Sequence, residues 1–182
     1  MTLTSLPFLI FAAVTVLLYY ILPKRAQWVV LLTASTLFYA SAGGWYLPFI
    51  LATILTTFFL ARIMESRAKA DEDYVAAHKA DMDKDARKAY KAEGKKKRFR
   101  MLIGGLVLNF GILAVLKYTG FGVTTVNDVL GLFTQSRLTV PSLILPLGIS
   151  FYTFRSTAYI IDVYRGKAKA ATNLGKYALF VS

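Results

Sequence analysis

One segment, residues 145–166 (LPLGISFYTFRSTAYIIDVYRG), concentrates the side chains that could do chemistry. At helical spacing, Tyr152, Arg155, Ser156, Tyr159 and Asp162 recur at steps of three and four and form one polar stripe. Phe151, Phe154, Ala158 and Ile161 form an apolar stripe beside it. Arg155 and Asp162 share a face, roughly 10 Å apart along the axis. An arginine inside a bilayer costs about 2.5–3.5 kcal/mol on insertion scales, so it normally faces a partner or a water-filled cavity. Two readings are open on the pattern alone. The stripe lines a polar chamber within a helix bundle, or Arg155 has a structural role. In the second case it pairs with Asp162 or a backbone carbonyl, or reaches to the membrane surface. Pro146, Gly148 and Ser150 stand just before the stripe. Pro146 and Gly148 either break the element where it borders a cavity or mark an ordinary helix start. The candidate chamber residues are therefore Pro146, Gly148, Ser150, Tyr152, Arg155, Tyr159 and Asp162.

Other chemistries are excluded or unsupported. There is no cysteine, so disulfides, zinc–thiolate sites and a cysteine nucleophile are ruled out. The single histidine, His78, rules out a multi-histidine metal site. It sits among charged residues and reads as a solvated surface side chain rather than a base. No phosphate-binding loop and no Gly-x-Ser-x-Gly elbow occurs. No catalytic residue, cofactor or metal is assigned.

The elements that must hold this stripe are apolar. The 182 residues are 56% hydrophobic and 18% charged, where a soluble domain carries about 25% charge. The charges crowd into one stretch, which excludes disorder and an ordinary soluble globule. An integral membrane protein remains. Residues 6–22, 27–42, 47–64 and 101–118 read as four membrane helices, and 141–164 as a last element broken near Pro146. Trp28 and Trp45 mark the two ends of the second span, where tryptophan prefers the interface. Residues 119–138 read as a glycine-containing loop. Asn109 reads as an interhelical hydrogen bond.

Residues 65–100 are rich in Ala, Lys and Asp and read as a charged cytoplasmic loop with solvated helix. Asp83 with Arg87, Asp81 with Lys84, and Asp85 with Lys88 would support that helix. The loop closes on Lys95, Lys96, Lys97, Arg98 and Arg100. This cluster is either a topology determinant or a site for anionic lipid. It lacks interleaved aromatics and abuts a span, so nucleic acid is not expected as a partner. With 65–100 inside, Lys24, Arg25, Arg165, Lys167, Lys169 and Lys176 are inside too. The N-terminus, 43–46 and 119–138 are then outside and hold one basic residue, Arg137. One orientation satisfies every loop. The net charge of +12 follows from that loop bias.

The stretches Leu145-Pro-Leu-Gly-Ile-Ser-Phe-Tyr-Thr-Phe154 and Tyr159-Ile-Ile-Asp-Val-Tyr-Arg-Gly166 resemble the membrane-bound O-acyltransferases. The likeness is to the bacterial branch of alginate O-acetyltransferases and teichoic-acid D-alanyl transfer proteins. It implies a multi-pass protein of the bacterial cytoplasmic membrane. It also implies an enzyme that moves an acyl group, acetyl for preference, from a carrier-linked or thioester donor inside to a hydroxyl of an exported polysaccharide or wall polymer. Polysaccharide-modification proteins would be its partners, and the bilayer its solvent. The catalytic histidine of the family lies on a later membrane helix, which these residues do not include. The expectation is a single all-α membrane domain over 1–182, a polytopic bundle of about five membrane elements. It would be the truncated N-terminal part of such an enzyme and inactive alone. The second reading is a small non-enzymatic membrane protein, such as a transporter subunit or scaffold.

Overall fold

A computed structural model describes residues 6–43, 47–79, 82–130 and 148–182. The apolar runs fold as helices: α1 (Leu6–Ile21), α2 (Gln27–Gly43), α3 (Leu47–Ala77), α4 (Lys84–Leu130), α5 (Ile149–Tyr164) and α6 (Leu174–Val181). The described residues contain no strand. Trp45, Asp81, Arg137, Pro141 and Pro146 lie outside the described residues, so the break expected near Pro146 does too.

Local chemistry sets the ends. Pro23 cannot continue α1, and the Gln27 amide donates back to the Tyr19 carbonyl at 3.1 Å, one of the carbonyls a helix end leaves unpaired. Gly148 precedes α5 with φ 73°, a left-handed conformation that glycine adopts without strain. Gly166 ends it with φ 72°, and the Lys167 N–H donates to the Asp162 carbonyl at 2.9 Å. Asn173 starts α6, its side chain accepting from the Lys176 N–H at 3.0 Å.

Two helices outrun their predicted spans. α3 has 31 residues and α4 has 47, so at ~1.5 Å per residue they extend about 47 Å and 70 Å. A bilayer core is about 30 Å thick. Residues 65–77 and 84–100 are therefore helical continuations of α3 and α4 that form a hairpin. The solvated helix expected within 65–100 is thus present, as two arms continuous with the spans and not as a separate segment. Arg87 closes the turn by donating to the carbonyls of Met82, at 2.9 Å, and Lys79. It forms no ion pair with Asp83, and Asp85 forms none with Lys88. The ion pairs among the described residues are Glu65–Lys69, Glu93–Lys97 and Asp71–Arg98. The hairpin arms meet through Tyr74 stacked on Tyr90 at 4.7 Å. They also meet where Gly94 sits against the Asp71 carboxylate.

At the far end, Thr119–Leu130 continue α4 where a loop was expected. The polar residues there cost the helix little. Thr119, Thr124 and Thr125 donate their hydroxyls to the carbonyls of Val115, Gly120 and Phe121 one turn back.

α3, α4 and α5 pack mutually, α6 bridges α2 to α3 and α5, and α1 rests on α2. Both α3 and α4 carry an apolar window long enough to cross a membrane, yet only 39% and 22% of those windows are buried within the chain. Val107, Val115, Phe121 and Phe151 stand exposed. α3 and α4 are long and apolar enough to cross a membrane and keep much of that apolar surface uncovered within the chain. The shorter apolar helices, α1 with 16 residues and α2 with 17, complete the apolar part.

Candidate functional site

α5 carries its polarity inward. Ile149, Tyr152, Thr153, Ser156, Thr157, Ile160 and Val163 are buried, while Phe151 and Phe154 are 65% and 58% exposed. The expected apolar stripe therefore faces out and the small hydroxyl side chains face in. This inverts the soluble pattern. It suits a membrane helix, because small residues let backbones approach and hydroxyls bond within the bundle.

The buried polar side chains among the described residues are Thr53 and Thr57 on α3, Asn109 on α4, and Thr153, Ser156 and Thr157 on α5. Ser156 donates to the Tyr152 carbonyl at 2.7 Å. Thr57 donates to the Thr53 carbonyl at 2.6 Å and accepts from the Tyr177 hydroxyl at 2.7 Å. Asn109 does not bond across helices as expected. Its amide donates to the Gly105 carbonyl of its own helix at 2.8 Å. Its Oδ1, the Tyr152 hydroxyl and the Thr157 hydroxyl are buried with no hydrogen-bond partner. Unpaired buried polar atoms are costly and few in native proteins. One of the three is on α4 and two are on α5, all in the interior of the bundle.

The predicted residues divide between two settings. Gly148 caps α5, and a side chain there would meet the Tyr39 hydroxyl at 3.8 Å. Tyr152 is in the core with Tyr39, Ile54 and Tyr177. Ser150, Arg155, Tyr159 and Asp162 are half-buried. The single polar stripe thus splits: Tyr152 and Ser156 point in, Arg155 and Asp162 sit on the rim. Arg155 has no ion pair with Asp162. Its guanidinium lies over the rings of Phe151 at 5.1 Å and Phe180 at 4.8 Å. Aromatic faces attract a cation through their quadrupole, and this contact is stronger away from water. Asp162 accepts backbone N–H groups of Lys167 and Ala168 through its main-chain carbonyl. Pro146 lies outside the described residues.

Tyr159 has a role that spacing did not indicate. Its hydroxyl accepts the Ala171 N–H at 2.8 Å, while the Glu65 carboxylate accepts the Ala170 N–H at 3.1 Å. The two fasten residues 166–173 as a strap across the ends of α3 and α5. Glu65 reads as one of many charges in the sequence, and its partner is 105 residues away. A Glu65→Ala chain is expected to release the strap. Hydrogen bonds to charged acceptors contribute about 1.5–3 kcal/mol, less for a partly exposed group. Trypsin should then cut at Lys167 and Lys169 about five- to ten-fold faster. Unchanged cleavage would mean the carboxylate does not hold the strap.

His78 is far from the inward face of α5. It ends α3 in the hairpin, stacked on Tyr74 at 4.3 Å, with Nδ1 at 3.0 Å from the Tyr74 carbonyl. Among the described residues no group of His, Asp and Glu could hold a metal ion.

Comparison with known proteins gives the same direction as the motif. No protein-family model and no solved structure matches the chain. Named proteins do. The chain is 34% identical over 165 residues to the probable alginate O-acetylase AlgI of Azotobacter vinelandii, covering 91% of this chain and 28% of that protein. It is 45% identical over 83 residues to the same-named protein of Pseudomonas aeruginosa, 46% of this chain and 16% of that one. It is 33% identical over 168 residues to the peptidoglycan O-acetyltransferase of Helicobacter pylori, 87% of this chain and 26% of that one. The chain thus spans about a quarter or less of these curated relatives. An inward-facing polar side of α5 among apolar helices is thus carried on a sequence similar, over most of its own length, to part of proteins named alginate O-acetylase and peptidoglycan O-acetyltransferase.

Proposed function

We propose that the chain forms the N-terminal membrane part of an O-acetyltransferase acting on an exported polysaccharide or wall polymer. The observation that carries this reading is its likeness to an alginate O-acetylase along 91% of its length. Five elements, α1 to α5, would cross or enter the bacterial cytoplasmic membrane, with the N-terminus outside and the α3–α4 hairpin in the cytoplasm. The basic ends of α4 and α5 support that orientation. The candidates Pro146, Gly148, Ser150, Tyr152, Arg155, Tyr159 and Asp162 would line one wall of the transfer chamber, Tyr152 from the inward face of α5. Arg155 and Asp162, on the rim of this chain, would face the other wall.

In the reaction, a base takes the proton of an acceptor hydroxyl. The oxygen attacks the acyl carbonyl, and the carrier or thiol leaves. The base would be a histidine supplied by another part of the longer protein, since His78 is remote from the inward face of α5. The donor would be carrier-linked or a thioester, and polysaccharide-modification proteins would receive the product. This chain would position the donor and acceptor rather than perform the proton transfer.

A chimera tests this. The matching 165 residues of the Azotobacter vinelandii protein are replaced by this chain, and acetate esterified to alginate is measured. Retained acetylation, within about ten-fold of the parent, is expected, because the candidate residues come with the segment. A chimera that reaches the membrane in normal amount yet adds no acetate would sink the reading. The 182-residue chain by itself should add none.

A further inference from the structure

We propose that the outer flank of α4, with the edge of α5 beside it, is a binding site for an anionic phospholipid. The basic cluster before the α4 span is not uniform. Lys97 pairs with Glu93 at 2.9 Å, and Arg98 lies 3.9 Å from Asp71 and donates to the Gly94 carbonyl. Lys95, Lys96 and Arg100 are exposed and have no ion pair among the described residues, and of these Lys96 and Arg100 share one line of α4. Lys96 feels the Glu93 carboxylate only through space, since the hydrogen bond of that carboxylate goes to Lys97.

Helical geometry aligns these two free cations with an exposed apolar track. Lys96, Arg100, Ile103, Val107 and Phe110 follow one another at steps of four, three, four and three, so they lie along one line of α4. Ile103 is 42% and Val107 66% exposed. From Arg100 to Phe110 the rise is about 15 Å, half of a ~30 Å bilayer core and so one leaflet deep. α5 forms the side wall. Phe154 meets Phe110 edge-on at 5.7 Å, and Tyr164 meets Phe99 at 6.0 Å near head-group depth. Arg165 follows Tyr164 and is exposed at the same end.

A topology determinant needs only the number of charges in a loop. It does not need two unpaired cations in register with a leaflet-deep apolar track. That register matches a phosphate head group above an acyl tail, and the positive charge selects an anionic head. The site rests on the bilayer placement of α4 and is independent of acyl transfer, so its failure would leave the transferase reading standing.

The test is native mass spectrometry of the intact chain in mild detergent, titrated with phosphatidylglycerol and separately with phosphatidylcholine. Phosphatidylglycerol should bind selectively. In a Lys96→Gln/Arg100→Gln chain its affinity should fall about 25-fold, roughly five-fold for each basic side chain. A Lys97→Gln chain should change little. Should the double variant lose helix content, Val107→Trp offers a second arm: it keeps both charges, obstructs the track and should also weaken binding. Equal binding of both lipids, or an affinity unmoved by these substitutions, would overturn the proposal. So would a photo-crosslinker at position 107 that captures protein instead of lipid.

Discussion

Tyr177→Ala is expected to cost about 3–5 kcal/mol of folding stability, the range for emptying a large aromatic from a core. The ring is 3% exposed and packs on Phe58, Tyr159 and Phe180, with centroids 5.9, 4.6 and 6.1 Å away. Its hydroxyl donates to Thr57, which is fully buried on α3. Alanine would remove the ring that seats α6 on α3 and α5, leave a cavity and take a donor from Thr57. Phe180 would lose a neighbour as well, and Arg155 rests on Phe180. Tyr177→Phe keeps the ring and removes only the hydrogen bond, so it should cost about 1 kcal/mol. Unfolding by sodium dodecyl sulfate in mild detergent, followed by helical circular dichroism, reads both. An alanine variant as stable as the parent would show that α6 is not seated by this ring.

Gly105→Leu should be the other large effect. A Cβ at Gly105 would stand 2.6 Å from Leu60 on α3 and 3.1 Å from Ile160 on α5. Three helices meet there, and Ile160 is fully buried. The two contacts are ends of flexible side chains, but a leucine brings three further carbons into the same gap. Overpacking of this kind costs about 1–3 kcal/mol, occasionally more. The neighbouring Gly104 is the internal control, because a side chain there meets nothing within 4 Å. The expected result is a clear loss of stability for Gly105→Leu and almost none for Gly104→Leu. Helix propensity favours leucine over glycine at both positions, so equal effects at the two would mean that close approach does not explain Gly105.

Some of this was legible in the residues. α1 and α2 fall within one residue of the expected spans, because Pro23 and the Gly43-Gly44 pair interrupt long apolar runs. Gly148 as the start of α5 was open to a cavity-lining or a capping reading, and its left-handed backbone favours the cap. Helix was expected within the hairpin, but its charge concealed that the helix continues from α3 and into α4. Nothing in residues 65–77 or 84–100 stops a helix: proline is absent, and Ala and Lys are good formers. Residues 119–130 were misread through their glycines and threonines, whose hydroxyls the helix absorbs.

The site was legible as a list and not as an arrangement. Tyr152, Arg155, Ser156, Tyr159 and Asp162 were rightly placed on one helix. Their periodicity could not say which of them point in. In water the apolar face turns inward, which decides the matter. Among apolar helices in a membrane either face can find a suitable neighbour, so the choice falls to packing. Here the small hydroxyl face turns in and the phenylalanines turn out.

Chain-local chemistry by itself determined the helical character, most helix ends, and the charge asymmetry that suggests an orientation. It also carried the motif linking the chain to the O-acetyltransferases, since a run of adjacent residues is local information. Tertiary structure alone decided the partners. Arg155 is held by a ring 25 positions later, the strap by a carboxylate 105 positions earlier, and Tyr177 by a hydroxyl 120 positions earlier. A contact of that range depends on how α3, α5 and α6 cross. That crossing is set by the fit of many side chains at once, so no single stretch of sequence encodes it.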